Sequence, residues 1–276
     1  MIHSDWHIHS EFSYDSKLPL QTIAEEGSAL GMQFLGITDH VNYNDDFFLA
    51  ALRDSAKAVK QMQEVCPTMV LGVELTPISK PQFDYIAQTG TREGFVAPTA
   101  THPFDIELAV SKEELQSLGV RYAIGAAHWR VDGMPTANAD DLKESIDEWY
   151  RQQMWLACDE RVTVLGHPWY HGKGLWYEDF TQIPHSMNVD IAHALKENGK
   201  YVECNLHFFN SAKTGERFRC QYAEFLRELF EMGISVTYGT DSHSRYANGI
   251  EAVEAYLARA GFRDGDIVGI SEQDFW

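Results

Sequence analysis

Short β-rich apolar runs alternate along this chain with stretches whose apolar residues recur every three to four positions. The runs that read as strands are "SDWHIH" (4–9), "QFLGIT" (33–38), "TMVLGVEL" (68–75), "VRYAIGAA" (120–127), "VTVLG" (162–166), "KYVECNL" (200–206) and "GISVTYGT" (233–240), with a short "DIVGI" (266–270) as a possible eighth. The helical stretches are "LPLQTIAEEGSALG" (18–31), "FFLAALRDSAKAVKQMQEV" (47–65), "DDLKESIDEWYRQQMWLACD" (140–159), "CQYAEFLRELFEMG" (220–233) and "IEAVEAYLARAG" (250–261), several of which stop at a glycine. Strand–helix alternation predicts a parallel sheet with crossover helices, an α/β class. Seven or eight such units in a single domain over residues 1–276 favour a closed barrel over an open doubly wound sheet. No glycine-rich phosphate loop follows the first strand, so a dinucleotide-binding fold has no support. Residues 76–119 hold a longer irregular connection, for which an extra hairpin is expected around "QFDYIAQTG" (82–90) and "EGFVAPTA" (93–100).

Composition narrows the setting. Hydrophobic residues make up 44% and charged residues 23%, the balance of a soluble globular protein. No apolar run is long enough to span a bilayer, and the N-terminus reads neither as a signal peptide nor as long enough to lose one before the first motif. Cys66, Cys158, Cys204 and Cys220 lie far apart without CxxC spacing, which suits reduced thiols in the cytoplasm. The formal charge is −19, from 41 acids and 22 bases, so the chain as a whole lacks the basic footprint that long nucleic acid requires. A small anion is still admissible if cations sit locally in a site, and metal ions are one way to supply them.

The chemistry gathers where the strand candidates end. The first delivers His7 and His9, the second Asp39 and His40, the third Glu74. The later ones deliver His128, His167, and Asp241 with His243. One strand-end histidine is usually a hydrogen-bonded rim residue, and a pair such as His7 and His9 can arise in a surface turn. Six strand ends together are hard to assign to chance, because the C-terminal ends of parallel barrel strands all open on one rim. Histidine with carboxylate suits Zn, Mn or Fe. The donors exceed one tetrahedral site, so two or three divalent ions with a shared carboxylate are expected, and Glu74 is the candidate bridge. His7 and His9, at i and i+2 of a strand, point to the same face. Asp5 either orients a ligand or lines the barrel, and Asp39 is a candidate for orienting a neighbouring ligand.

The segments "HIH", "SYD", "TDH", "GVE", "AAH", "GHP" and "GTDSH" occur in the order that they have in the PHP (polymerase and histidinol phosphatase) domain family. The chain resembles that family over essentially its whole length, and in particular its stand-alone, histidinol-phosphatase-like members. The resemblance implies a distorted (β/α)7 TIM-like barrel with a trinuclear metal centre. By motif position His7, His9, Glu74 and Asp241 would hold one ion, Glu74, His128 and His167 a second, and Asp15, His40 and His243 a third. Many relatives have histidine where Asp15 stands.

The expected reaction is hydrolysis of a small-molecule phosphate monoester by a metal-bound hydroxide, with Asp241, His243 or a bound water protonating the leaving alkoxide. Substrate contacts are expected from the basic stretch after "VECN", with Lys213, Arg217 and Arg219, and from Arg130 and Arg245, each two residues past a predicted ligand. Trp129, Trp169, Tyr170 and His171 flank ligands and are candidates to wall a pocket. The partner is then a small phosphorylated metabolite, with neither membrane nor long nucleic acid. The alternatives are a phosphodiesterase or nuclease acting on nucleotides or cyclic phosphates, and a non-catalytic metal-binding module.

Overall fold

The computed structural model describes residues 2–135, 141–246 and 249–276. In chain order the strands are β1 (Asp5–Ile8), β2 (Leu35–Ile37), β3 (His40–Val41), β4 (Met69–Leu75), β5 (Ile78–Ser79), β6 (Ile106–Glu107), β7 (Tyr122–Gly125), β8 (Val164–Leu165), β9 (Tyr201–Asn205) and β10 (Val236–Gly239). The helices are α1 (Leu20–Ala29), α2 (Asp46–Met62), α3 (Lys80–Thr89), α4 (Lys112–Ser117), α5 (Leu142–Cys158), α6 (His185–Glu197), α7 (Leu206–Asn210), α8 (Glu216–Glu231) and α9 (Ile250–Arg259). Asp140, the first residue of the helix expected at 140–159, lies outside the described residues.

The parallel sheet runs β1-β2-β4-β7-β8-β9-β10, and its two edges meet just past the ends of β1 and β10. There Asp241 N–H donates to the His7 carbonyl (2.8 Å) and His9 N–H to that of Ser242 (3.1 Å), so the sheet nearly closes into a barrel. β3 continues the line of β2 and pairs His40 with Glu74 across β4. Between barrel and helices lies the main core, including Ile37, Val73, Leu165, Val202, Leu226 and Val236. The amphipathic logic is clear in α8, which buries Phe218, Tyr222, Phe225, Leu226 and Leu229.

Inside the barrel the floor is apolar: Trp6, Val70, Tyr122, Ile124, Val164 and Tyr201 pack together. Above them the same faces of β4 and β9 carry Glu74 and Glu203. β1 departs from simple alternation. Asp5 pairs with Leu35 and Ile8 with Ile37, a bulge that sets three steps of β1 against two of β2. Trp6 therefore joins the floor while the next residue, His7, also meets Glu74 (3.3 Å) and Glu203 (2.7 Å). Gly239 admits them: a Cβ there would stand 2.1 Å from Glu203 Oε1 and 2.4 Å from the Cβ of His7.

Two expectations need correction. The stretch expected as a hairpin forms α3, started by the Ser79 hydroxyl accepting from Gln82 N–H, with Pro81 in the first turn, and stopped by Gly90 at φ 75°. Residues 93–100 hold no strand; the antiparallel pair here is β5 with β6. "DIVGI" contributes only an isolated bridge, Ile267 to Val236. The helix α6, absent from the pattern reading, covers the barrel with Ile191, Ala192 and Leu195 buried.

Candidate metal centre

The nine side chains proposed as ligands meet at the C-terminal mouth of the sheet. Three overlapping groups form: His9, Asp15, His40 and His243; His7, His9 and Asp241; and His40, Glu74 and His128. His167 joins through Glu74, its Nε2 3.0 Å from Oε1. Glu74 is fully buried and central. Its Oε2 lies 3.3 Å from His7 Nε2, 3.3 Å from His9 Nε2 and 2.9 Å from His40 Nδ1, while Oε1 lies 3.3 Å from His128 Nε2.

Hydrogen bonds fix the proton on four of the imidazoles. Glu203 Oε1 accepts from Nδ1–H of His7 (2.7 Å). The Ser13 hydroxyl gives its proton to Asp15 (2.9 Å), so it accepts from His9 Nδ1–H (3.4 Å). The Thr76 hydroxyl gives its proton to Asn42 (2.6 Å), so it accepts from His128 Nδ1–H (2.9 Å). The Asp241 carbonyl accepts from His243 Nδ1–H (2.8 Å). With Nδ1–H held in this way, each ring turns Nε2 toward the acids, the atom that would face a cation once any proton there has left, as outer partners of ligating histidines arrange.

These residues fit a cluster of cations. The Nε2 atoms of His7 and His9 stand 3.0 Å apart, so a proton or a cation must sit between or beside them. His167 Nδ1 is buried without a hydrogen-bond partner among the described residues. His167 (φ 22°) and Asp241 (φ 53°) adopt left-handed backbone, a strain of order 1–3 kcal/mol each that the surrounding sheet must hold.

Charge couples the group. Burial alone would lower the pKa of His7, but the carboxylates of Glu203, Glu74 and Asp241 outweigh it and raise it well above 6.5. Burial likewise opposes, and Glu74 and Asp15 overcome, at His40, which rises to about 10. At His128 burial prevails over Glu74 and holds the pKa down to about 4. Burial works against the charged form of Glu74 and Asp241, yet their imidazole neighbours keep both carboxyls well below the usual range. The metal-free site is therefore protonated at His7 and His40 at neutral pH, and a cation must displace those protons. Metal uptake at pH 7 is expected to release roughly one to two protons per site, with affinity strengthening as pH rises from 6.5 toward 10. Calorimetric titration in two buffers of different ionisation heat checks this; a buffer-independent enthalpy would contradict it.

The structure also shows partners around the ligands: Glu203 and Asn205, which the motifs did not single out as such, and Asp39 and Asp5, which were candidates for orienting a ligand. Glu203 Oε2 accepts the His167 N–H (2.6 Å) while Oε1 holds His7. The available signal was an acid in an otherwise apolar strand, as for Glu74. Asn205 donates to Asp241 Oδ2 (3.3 Å) and Glu203 Oε1 (3.2 Å). Asp39 accepts from Ser10 N–H (2.6 Å), Ser10 Oγ (2.8 Å) and Ser55 Oγ (2.6 Å), anchoring the residue after His9. Asp5 holds the backbone of the ligand strands through Oδ1, which accepts from N–H of His7 (3.2 Å) and Thr240 (3.0 Å).

The basic candidates are placed differently. Arg130 pairs with Asp132 (2.5 Å) and Glu144 (3.5 Å), facing a cleft with Pro103, Met134 and Arg151. Arg217 pairs with Asp179 (2.6 Å), Arg219 donates to Ser211 O (2.9 Å) and Thr214 Oγ1 (3.2 Å), and Lys213 donates to Gly172 O (3.2 Å). Arg245 lines a groove against Leu18, Thr22 and Glu26, on the helix α1 side. None of the five is hydrogen-bonded or ion-paired to any of the nine ligand candidates among the described residues. Trp169 is fully buried with Nε1 on Asn188, and His171 is buried between Trp149 and Trp176, so neither walls a pocket. Trp129 and Tyr170 do lie beside the centre, with ring centroids 5.8 Å from His128 and 5.2 Å from His167 respectively.

Residues 5–207 match the model of the PHP domain family. A crystal structure of histidinol phosphate phosphatase from Lactococcus lactis subsp. lactis Il1403, complexed with Zn, L-histidinol and phosphate, superposes with a TM-score of 0.65 at 19% identity, covering 100% of this chain and 99% of that one. Among curated proteins, a probable phosphatase of Acetivibrio thermocellus is 39% identical over 59 residues, which are 21% of this chain and span only 23% of that relative's length. Among the described residues no helix is long and apolar enough to cross a membrane.

Proposed function

Because the chain belongs to the PHP domain family, we propose that it is a metal-dependent phosphoesterase that hydrolyses a small phosphate monoester. The observation behind this is the set of imidazoles and carboxylates around Glu74, with four rings held by Nδ1 so that Nε2 turns inward. Two or three divalent ions, Zn, Mn or Fe, would be held by His7, His9, Asp15, His40, Glu74, His128, His167, Asp241 and His243, and would supply charge for phosphoryl oxygens and acidify a water. The chain's own part is to hold those donors rigid through Glu203, Ser13, Thr76 and the Asp241 carbonyl. Tyr14, Trp129 and Tyr170 flank the mouth, with ring centroids 5.3 Å from His40, 5.8 Å from His128 and 5.2 Å from His167 respectively. The acidic surface disfavours long polyanions, which supports a small metabolite as substrate. The Lactococcus protein, bound to histidinol and phosphate, illustrates this class of ligand on the same fold.

Metal analysis and turnover on the same samples test the reading. Protein purified without chelator is expected to carry Zn, Mn or Fe and to hydrolyse p-nitrophenyl phosphate faster than bis-p-nitrophenyl phosphate. Faster diester cleavage would favour a phosphodiesterase. Absence of turnover with any of the three metals would favour a binding module.

A further inference from the structure

We infer that the His207 imidazole is the acid that protonates the leaving alcohol oxygen, a role that rests on the phosphomonoesterase reading above. The two groups first considered for this, Asp241 and His243, sit inside the ligand groups. Asp241 turns Oδ1 to His9 Nε2 (3.2 Å) and Oδ2 to the Asn205 amide (3.3 Å), so both oxygens are engaged. His243 commits Nδ1–H to the Asp241 carbonyl and turns Nε2 toward Asp15 (3.4 Å). As ligands, Asp241 would carry no proton and His243 would keep only the Nδ1–H that the Asp241 carbonyl already holds.

His207 stands outside those groups but beside them. It lies in α7, directly after the C-terminal end of β9, and is exposed at the mouth. Asn205 places it: the same side chain that donates to Asp241 accepts the His207 N–H through Oδ1 (2.8 Å). Tyr170 supports it from the other side, its ring 6.1 Å from that of His207 while it also packs on His167 at 5.2 Å. The ring nitrogens of His207 make no hydrogen bond among the described residues, so both are open to a ligand.

The step balances with water as the only co-reactant. A water oxygen bonds to phosphorus and the bond from phosphorus to the ester oxygen breaks. The ester oxygen keeps the bonding pair and takes the proton from His207. The water proton leaves to solvent, and the imidazole regains one from solvent, giving phosphate and free alcohol.

The test compares leaving groups that need an acid with ones that do not. Wild type, His207→Ala and His207→Gln, each loaded with metal and checked for metal content, are assayed with glycerol 2-phosphate and p-nitrophenyl phosphate. Both variants are expected to lose on the order of 100-fold more kcat on the alkyl ester than on the aryl ester, with metal content unchanged, as fits the loss of one general acid. Equal losses on the two esters would mean a merely structural role and would overturn the assignment, as would full retention of alkyl turnover. Wild type that turns over neither ester removes the phosphatase reading and this role together, whereas wild type that turns over both leaves the variants to decide the role alone.

Discussion

Replacing Glu74 by Gln is expected to strip the centre of metal and abolish turnover. One buried carboxylate there faces imidazoles from five positions, His7, His9, His40, His128 and His167, at 2.9–3.3 Å. Gln keeps the shape but removes the negative charge, and its N–H₂ group occupies a position that the carboxylate would offer to a cation. Removing one partner from a buried charged set costs about 3–5 kcal/mol, on the order of 10²- to 10³-fold in metal affinity. Asp15→Asn is the informative contrast. Asp15 is about a third exposed and faces two imidazoles, His40 and His243, both at 3.4 Å, besides accepting from Ser13 Oγ, so its loss should weaken one of the three ligand groups. Metal content after dialysis, read with kcat on a monoester, ranks the two. Equal metal loss in both variants would mean that Glu74 is not shared between ions.

The second large effect is expected at Glu203, which touches no metal position itself. Three donors converge on its two oxygens: Nδ1–H of His7 at 2.7 Å, the amide of Asn205 at 3.2 Å and N–H of His167 at 2.6 Å. Gln offers one acceptor oxygen, so either His7 or the His167 backbone meets an N–H₂ group instead. Outer partners of ligating histidines typically contribute 10–100-fold in metal affinity or activity, and about that loss is expected for Glu203→Gln. Because Glu203 also helps to raise the His7 pKa, fewer protons should be released on metal uptake in this variant. Competition with a chromophoric chelator measures the first effect and calorimetry the second. A metal affinity within about twofold of wild type would show that the ring of His7 needs no such partner.

The sequence by itself determined the barrel class and where the reacting groups would gather. Parallel strands are buried on both faces, so they read as short apolar runs, and a polar residue where such a run ends is conspicuous without knowledge of its neighbours. His7, His40, Glu74, His128, His167 and Asp241 were visible in that way, and the motif order added Asp15. Long helices with one apolar face, such as α8, were equally legible, whereas α6 and α3 were not.

Only the tertiary structure decided the rest, because those features are relations between distant positions. His7 meets Glu203 across 196 residues, a contact set by the meeting of sheet edges and by the absence of a Cβ at Gly239. The bulge in β1, which turns both Trp6 and His7 inward, depends on how β2 pairs with it. A sequence shows that an arginine is present but not which carboxylate has claimed it, and so the engaged states of Arg130 and Arg217 could not be read from spacing. Periodicity reports the burial of one side chain at a time; the partner of a buried charge is fixed by the closure of the whole sheet.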